Sequence, residues 1–107
     1  MIDVPPVVGD PAAIKGFADD LRAVAGRLEG IGAELMALPK SMTFEGPAAE
    51  RFAGGMKSLG GRVRFAAEEL RAVAARVDAT AAEVAERIRQ RERLLEEMAR
   101  AATGVPS

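Results

Sequence analysis

The sequence predicts an all-α protein: an antiparallel two-helix hairpin with a long second helix, which pairs into a four-helix bundle. Apolar residues make up 49% of the 107 residues and aromatic residues only 4%, so the apolar mass is mostly Ala, Val and Leu, which favours helix packing. Large apolar residues recur at alternating intervals of three and four, as in a coiled-coil seam. The two runs with this spacing are separated by a short segment, so their helices should lie antiparallel.

The first helix follows an extended N-terminal arm, which is predicted over residues 1–9. Asp10 is a favourable N-cap and Pro11 suits the first helical turn, which places the helix over residues 10–38, before Pro39. Its seam keeps the alternating spacing over about four heptads, which favours left-handed, coiled-coil-like packing. The seam residues of this helix are Ile14, Phe17, Leu21, Val24, Leu28, Ile31, Leu35 and Leu38.

The second helix follows a turn that is predicted over residues 39–46. Pro47 after Gly46 suits a helix start, and the periodic pattern continues over residues 47–102, before a flexible tail of residues 103–107. The seam residues of this helix are Phe52, Met56, Leu59, Val63, Ala66, Leu70, Val73 and Val77.

Two features interrupt the pattern of the second helix. Two intervals of four fall together at Val84 and Ile88, a stutter that locally unwinds a supercoil. Gly60 and Gly61 lie in the helix interior, where each costs roughly 1 kcal/mol compared with Ala. We therefore predict a kink or a mobile turn near Gly60, and the sequence leaves open whether the helix is continuous there.

The two predicted helices are unequal in length, so the longer one overhangs. At 1.5 Å per residue the first spans roughly 43 Å and the second about 80 Å. The first helix then covers only half of the second, and the overhang begins at about Val77. Four apolar residues beyond that point are candidates for contact with a partner: Val84, Ile88, Leu95 and Met98.

Residues 10–102 are predicted to form a single helical domain. Two helices alone cannot enclose the apolar seam of this domain, because each helix buries one stripe and leaves part of that stripe in water. We therefore predict that two hairpins pair, as a homodimer or as a heterodimer with a similar chain. The residues assigned to the helix seam and dimer interface are Phe17, Leu21, Val24, Leu28, Ile31, Leu35, Phe52, Leu59, Val63, Leu70, Val73 and Val77.

The composition argues against catalysis, cofactors and nucleic acid. The chain has no His and no Cys, which removes the commonest general base, the commonest metal ligand and any thiolate, so we predict a non-enzymatic protein without metal or cofactor. Fifteen basic and sixteen acidic residues give a net charge of -1, which provides no field to attract nucleic acid. No apolar run approaches the ~18 residues of a membrane span. The N-terminus lacks the pattern of a cleavable signal peptide.

The predicted turn carries the most distinctive motif, Phe44-Glu45-Gly46-Pro47. Phe44 is an apolar side chain just before a helix start, Gly46 gives the backbone freedom, and Pro47 begins the helix. Because Phe44-Glu45-Gly46 stands where a Trp-x-Gly motif would be, the chain resembles the WXG family of small type VII (ESX-type) secretion proteins, which are helical hairpins with that motif in the turn.

Two further stretches are similar to actinobacterial variants of that family. One is the Pro-Ala-Ala stretch that follows the motif, and the other is the opening Gly9-Asp10-Pro11-Ala12. The resemblance covers about residues 9–85. It implies a homo- or heterodimeric four-helix bundle that is secreted through a type VII system without a cleaved signal peptide, or is cytoplasmic before export and associated with that machinery.

The chain departs from the family pattern in two ways. Phe44 replaces the central Trp, and the chain has no Tyr, so the C-terminal Tyr-x-x-x-Asp/Glu export signal of many members is absent in its usual form. The resemblance then leaves three alternatives: export only with a partner that carries the signal, a diverged relative that is not exported, or the helical leader of a larger toxin system that stands alone here. The residues alone leave a second function open, an intracellular coiled-coil adaptor or scaffold with no secretion role.

Overall fold

The protein is an all-α helical hairpin. A computed structural model describes residues 9–41 and 45–104, in which helix α1 spans Pro11–Ala37, a short 3-10 helix spans Leu38–Ser41, and helix α2 spans Pro47–Ala102. The described residues contain no strand. The predicted all-α hairpin with a long second helix is therefore confirmed. The arm before Gly9 and the last residues of the tail lie outside the described part of the chain.

Helix α1 begins at its predicted cap and ends at Ala37, within one residue of the predicted end, and a 3-10 helix follows it. The Asp10 carboxylate accepts a hydrogen bond from the backbone N–H of Ala12 at 3.0 Å. Pro39 lies inside the 3-10 helix. In that helix the Ser41 hydroxyl donates a hydrogen bond to the Leu38 carbonyl at 2.8 Å. A proline fits there because the first N–H groups of a helix have no partner within it.

Helix α2 is one unbroken helix of 56 residues. The molecule measures 89 × 17 × 17 Å, and its length is close to the ~84 Å of a straight helix of that many residues. The kink predicted near Gly60 and Gly61 is therefore wrong. Gly60 is buried against α1, so packing against a second helix compensates for its low helix propensity.

The two helices touch along a line of small residues rather than along the predicted seam. Every buried position of α1 is small, and so is every buried position of α2 except Val84. Successive members are seven residues apart, so they form one stripe on each helix. This contact line consists of Ala18, Ala25 and Gly32 in α1 and of Gly60, Ala67, Ala74 and Ala81 in α2.

Polar contacts border the contact line on one side. Arg22 bonds to Asp78 across the hairpin, and Arg71 Nη2 lies 2.5 Å from Glu29 Oε2. One heptad further along, Arg64 Nη1 lies 3.9 Å from the sulfur of Met36. From one pair to the next, the α1 partner moves seven residues forward along the chain and the α2 partner moves seven residues back. We call this row of cross-hairpin pairs the ionic edge.

Helix α1 covers more of α2 than its length predicted. Gly9 lies beside Val84, such that a Cβ built on Gly9 would be 3.5 Å from Val84 Cγ1, and Pro11 and Ala85 line the same surface pocket. The overhang therefore begins at residue 86, and the prediction of about Val77 is wrong. The main reason is that α1 lies further from the turn along α2 than the prediction assumed, with Gly32 against Gly60, and the 3-10 helix also lengthens the first arm of the hairpin. The overhang, residues 86–102, is about 25 Å long.

Candidate protein-interaction surface

The large apolar side chains of the predicted seam lie beside the contact line. In α1, each contact-line residue is followed three positions later by a leucine: Leu21, Leu28 and Leu35. The α1 residues of the ionic edge follow the contact-line residues by four positions. Positions three and four residues ahead lie on opposite sides of a helix stripe. The leucines therefore occupy the edge of the hairpin opposite the ionic edge.

Helix α2 repeats the same arrangement. Val63, Leu70 and Val77 come three residues after its contact-line positions, and the ionic residues come four after. Because the ionic residues of the two helices meet on one side, the large apolar residues of both helices lie together on the other. We call this side the apolar face. It includes the next row of each helix: Phe17, Val24 and Ile31 in α1, Leu38 at the start of the 3-10 helix, and Phe52, Leu59 and Val73 in α2.

The apolar face is incompletely covered by the hairpin. Among the described residues no large side chain is fully buried; Phe17 remains 56% exposed and Ile31 48%. Leu21, Leu28 and Leu35 are half-buried. The large apolar side chains of the predicted seam therefore form a surface that the hairpin leaves partly exposed to solvent.

The size of this face can be compared with known interfaces. Along α1 it runs about 40 Å, and the hairpin is 17 Å wide, which gives a footprint of about 700 Å². The largest apolar patch of a typical monomer is about 300–600 Å², and a standard interface takes about 800 Å² from each partner. The face thus has the size of a protein-binding surface.

The four residues predicted for contact with a partner divide into two groups. Val84 is buried inside the hairpin, so it contributes to the contact between α1 and α2 and not to the overhang. Ile88 and Met98 are half-buried and Leu95 is exposed, all three on the overhang. Leu94 is also exposed there, which adds a fourth apolar side chain.

The charges near the start of the overhang are locally paired. Arg89 Nη2 lies 2.6 Å from Glu86 Oε2, and Arg93 Nη2 lies 3.4 Å from Glu86 Oε1. The hydrogen bond from Arg89 and its positive charge hold the pKa of the Glu86 carboxyl below its usual range. On the hairpin, the hydrogen bond to Asp78 raises the pKa of the Arg22 guanidinium. Arg89 and Arg93 therefore form ion pairs with Glu86 on the helix surface.

The turn motif is only partly visible. Phe44 lies outside the described residues, so its role in the turn motif stays a prediction. Gly46 has a φ of 108°, a left-handed value that favours glycine, and its carbonyl accepts the first helical hydrogen bond from Glu50 at 3.0 Å. Glu45 and Pro47 are exposed on either side of it. Gly46 thus fulfils the role that the sequence predicted for it.

Within residues 9–41 and 45–104, no group of three or more acidic side chains is placed to hold a metal ion. Over the same part of the chain, neither helix has a stretch long and apolar enough to cross a membrane.

The contact line was not predicted from the sequence, although its signal is present there. The prediction followed the large apolar residues, whereas small residues recur every seven positions in both helices, with Gly32 and Gly60 in phase with the alanines. Alternating small and large rows on neighbouring stripes predict a close helix pair with an open apolar side.

Comparison of the chain with family models, with curated proteins and with solved structures found no match.

Proposed function

We propose that this chain is a WXG-like helical hairpin protein, secreted by or associated with a type VII secretion system, which acts by binding a second helical hairpin and not as an enzyme. The observation that carries this proposal is the apolar face, which follows both helices and is left open by the hairpin. A second hairpin with a similar face would complete a four-helix bundle. The partner is a second copy or a related chain.

The link to secretion rests on the resemblance of the turn motif. Phe44-Glu45-Gly46 lies between the two helices, where the family has Trp-x-Gly. The missing Tyr gives the export step a specific form: the chain leaves the cell together with a partner that carries the C-terminal signal. The same absence favours the second candidate function, an intracellular coiled-coil adaptor with no secretion role. The two functions share the surface and differ only in export.

The binding part of the proposal is tested by the solution mass of the purified chain, measured by light scattering across dilution. We expect a mass near twice 11.2 kDa, or a stable complex when the chain is co-expressed with hairpin proteins encoded beside it. Ile31→Glu should abolish either complex and leave the helicity unchanged, because Ile31 is 48% exposed in the hairpin. Ala33→Glu, at an exposed site off the apolar face, is the matched control.

The secretion part is tested in the native host. The chain is followed in cells and in culture filtrate, with and without an inactivated type VII ATPase, beside a cytosolic marker protein. We expect the chain in the filtrate only when the ATPase is active and the partner is present. A chain that binds its partner but stays in the cells under all conditions would establish the adaptor function instead.

A further inference from the structure

The ionic edge changes character toward the turn. Its two ion pairs further from the turn each join an arginine to a carboxylate across the hairpin. The next arginine, Arg64, faces only the sulfur of Met36, and Lys57 follows it one heptad nearer the turn. Within residues 9–41 and 45–104, neither Arg64 nor Lys57 forms an ion pair. The turn end of the ionic edge therefore carries positive charge that the hairpin does not neutralise.

The stretch of α2 around these two residues is basic as a whole. Residues 51–67 contain four basic residues and no acidic one, although the net charge of the chain is -1. Lys40 of the 3-10 helix lines the same surface groove as Lys57, which adds a further cation from the other arm of the hairpin. Acidic residues border the stretch on both sides, with Glu50 before it and Glu68 after it. The excess of positive charge is thus confined to a small part of the surface.

An exposed aromatic ring lies beside these charges. Phe65 is 61% exposed, the largest exposed fraction among the large apolar residues that the structure describes. It follows Val63 of the apolar face by two residues, which is about 200° around the helix, so the ring lies on the opposite side of α2. Phe65, Arg64 and Gly61 line one shallow pocket. A Cβ built on Gly61 would meet no atom within 4 Å, so the space beside the ring is open.

We propose that this turn-end patch, formed by Lys57, Gly61, Arg64 and Phe65, binds an acidic amphipathic helix of another protein. Two carboxylates seven positions apart on that helix pair with Lys57 and Arg64, whose Cα atoms are about 10.5 Å apart along α2. An apolar side chain midway between the carboxylates lies over Gly61 and packs on the Phe65 ring. The hairpin uses the same spacing internally, because its own ion pairs recur every seven residues along each helix.

The turn-end patch and the apolar face are separate surfaces. The ionic edge lies on the side of the hairpin opposite the apolar face, and Phe65 lies beyond that edge on the outer side of α2. A second hairpin bound to the apolar face therefore leaves the turn-end patch exposed. The chain can hold both partners at once, which goes beyond the binding function proposed above.

A protein helix suits the turn-end patch better than a nucleic acid or an anionic membrane. Glu50 lies seven positions before Lys57, and Glu68 lies four positions after Arg64. A ligand with continuous negative charge would meet these carboxylates at both ends of the patch, and like charges repel. A helix that carries two separate carboxylates pairs with the cations and avoids both acidic residues.

Fluorescence anisotropy of labelled synthetic peptides tests the proposal on the full chain. The probe is a helical peptide of alanine and glutamine, about 20 residues long so that it is helical, with two glutamates seven positions apart and a leucine midway. A second peptide has glutamine in place of both glutamates. A third has the glutamates five positions apart, which turns them to different sides of the helix. We expect the first peptide to bind at low salt, and the other two to bind about fivefold more weakly or less.

Substitutions in the chain locate the bound peptide. Lys57→Gln combined with Arg64→Gln should weaken the first peptide about fivefold, and so should Phe65→Ala. The matched controls are Arg76→Gln, at an exposed site of α2 outside the turn-end patch, and Phe17→Ala, at a ring that is 56% exposed on the apolar face. Both controls should leave the affinity nearly unchanged. Circular dichroism verifies the helicity of every variant.

A charge reversal makes the test specific for the ion pairs. Arg64→Glu should lose the glutamate peptide and gain a peptide in which lysine replaces both glutamates. If Arg64→Glu bound the glutamate peptide as tightly as the parent chain does, the proposal would be overturned. Tighter binding of a labelled single-stranded RNA, or of phosphatidylglycerol vesicles, than of the peptide would overturn the assignment of a protein partner.

One further variant separates this proposal from the proposed pairing of hairpins. Ile31→Glu should abolish the pairing and leave the affinity for the peptide unchanged, because Ile31 belongs to the apolar face. Loss of the peptide in Ile31→Glu would place the peptide on the apolar face and overturn the proposal. A chain that stays monomeric under all conditions and still binds the peptide would support the turn-end patch and contradict the pairing alone.

Discussion

Gly32 and Gly60 lie against each other across the hairpin, backbone to backbone. A Cβ built on Gly60 would be 2.7 Å from the Gly32 carbonyl oxygen and would overlap Met36 Cγ, and one built on Gly32 would be 2.8 Å from the Gly60 carbonyl oxygen. Neither carbonyl can retreat without moving a helix. The two backbones are too close here for a side chain on either residue, which explains why α2 has a glycine at position 60.

Gly60→Ala should destabilise the hairpin even though alanine is the better helix former. The new methyl group must push the two helices apart, and overpacking of this kind typically costs about 1–3 kcal/mol, more than the roughly 1 kcal/mol that the better propensity returns. Urea unfolding at one fixed protein concentration, followed by circular dichroism, measures the change.

The neighbouring glycine provides the control for that measurement. A Cβ on Gly61 meets no atom within 4 Å, so Gly61→Ala should stabilise the helix by about 0.5–1 kcal/mol. Equal effects of the two substitutions would show that the close contact between the helices does not exist in solution.

Ala74→Leu should be strongly disfavoured, because Ala74 is fully buried on the contact line between the two helices. The three added carbon atoms cannot be accommodated unless the helices separate, and we expect a loss of about 1–3 kcal/mol or more in the free energy of unfolding. Ala75→Leu, on the next and exposed residue, should change it by less than about 0.5 kcal/mol. Thermal unfolding of both variants side by side would reveal a wrong assignment if Ala75→Leu proved the more harmful.

The ionic edge should influence the register of the hairpin more than its stability. Glu29→Arg places two positive charges together at the pair with Arg71, and Arg71→Glu places two negative charges there. Each single reversal should lower the melting temperature, and the double reversal should restore most of it. Because the pair is half exposed, the coupling should not exceed about 1 kcal/mol. If the change in melting temperature of the double variant equals the sum of the changes of the two single variants, the two side chains do not interact.

Acid should remove the contribution of Glu86. Since Arg89, and to a lesser degree Arg93, hold the pKa of Glu86 below that of the unfolded chain, its charged form stabilises the helix above the ordinary carboxyl pKa. That contribution is lost as the pH falls through the lowered pKa. Glu86→Gln should therefore be less stable than the parent chain at neutral pH, and equally stable in strong acid.

The same pH series with Glu83→Gln serves as the reference, because Glu83 lies one turn earlier and outside this group of ion pairs. As the pH falls, the difference in stability between the parent chain and Glu86→Gln should decrease more than the difference in stability between the parent chain and Glu83→Gln. A gap for Glu86→Gln that stays constant into strong acid would contradict the role of its charge.

Much of the fold was predictable because it depends on local signals. Asp10 and Pro11 mark the start of α1, and the spacing of the large apolar residues predicts two helices of unequal length. The features that could not be predicted depend on the distance between the helices. Whether Gly60 weakens a helix or allows a neighbour to approach is decided by what lies opposite, and Gly32 is 28 positions away along the chain.

The apolar surface was predictable as a set of residues but not as a geometry. Leu28 and Ile31 belong to one heptad pattern, yet the first is half-buried at the flank of the hairpin and the second is largely exposed. Heptad spacing identifies which residues avoid water, and it does not tell which neighbour excludes the water. That information came from the small residues and the ionic pairs.

The overhang also bears on how long a chain survives in the cell before it meets a partner. An isolated helical segment as short as residues 86–102 is marginal in water, so its hydrogen bonds open more often than those of the part that α1 covers. Proteases act on such opened segments. Unaccompanied chains should therefore be trimmed from this end and removed, so that the amount of the protein follows the amount of its partner.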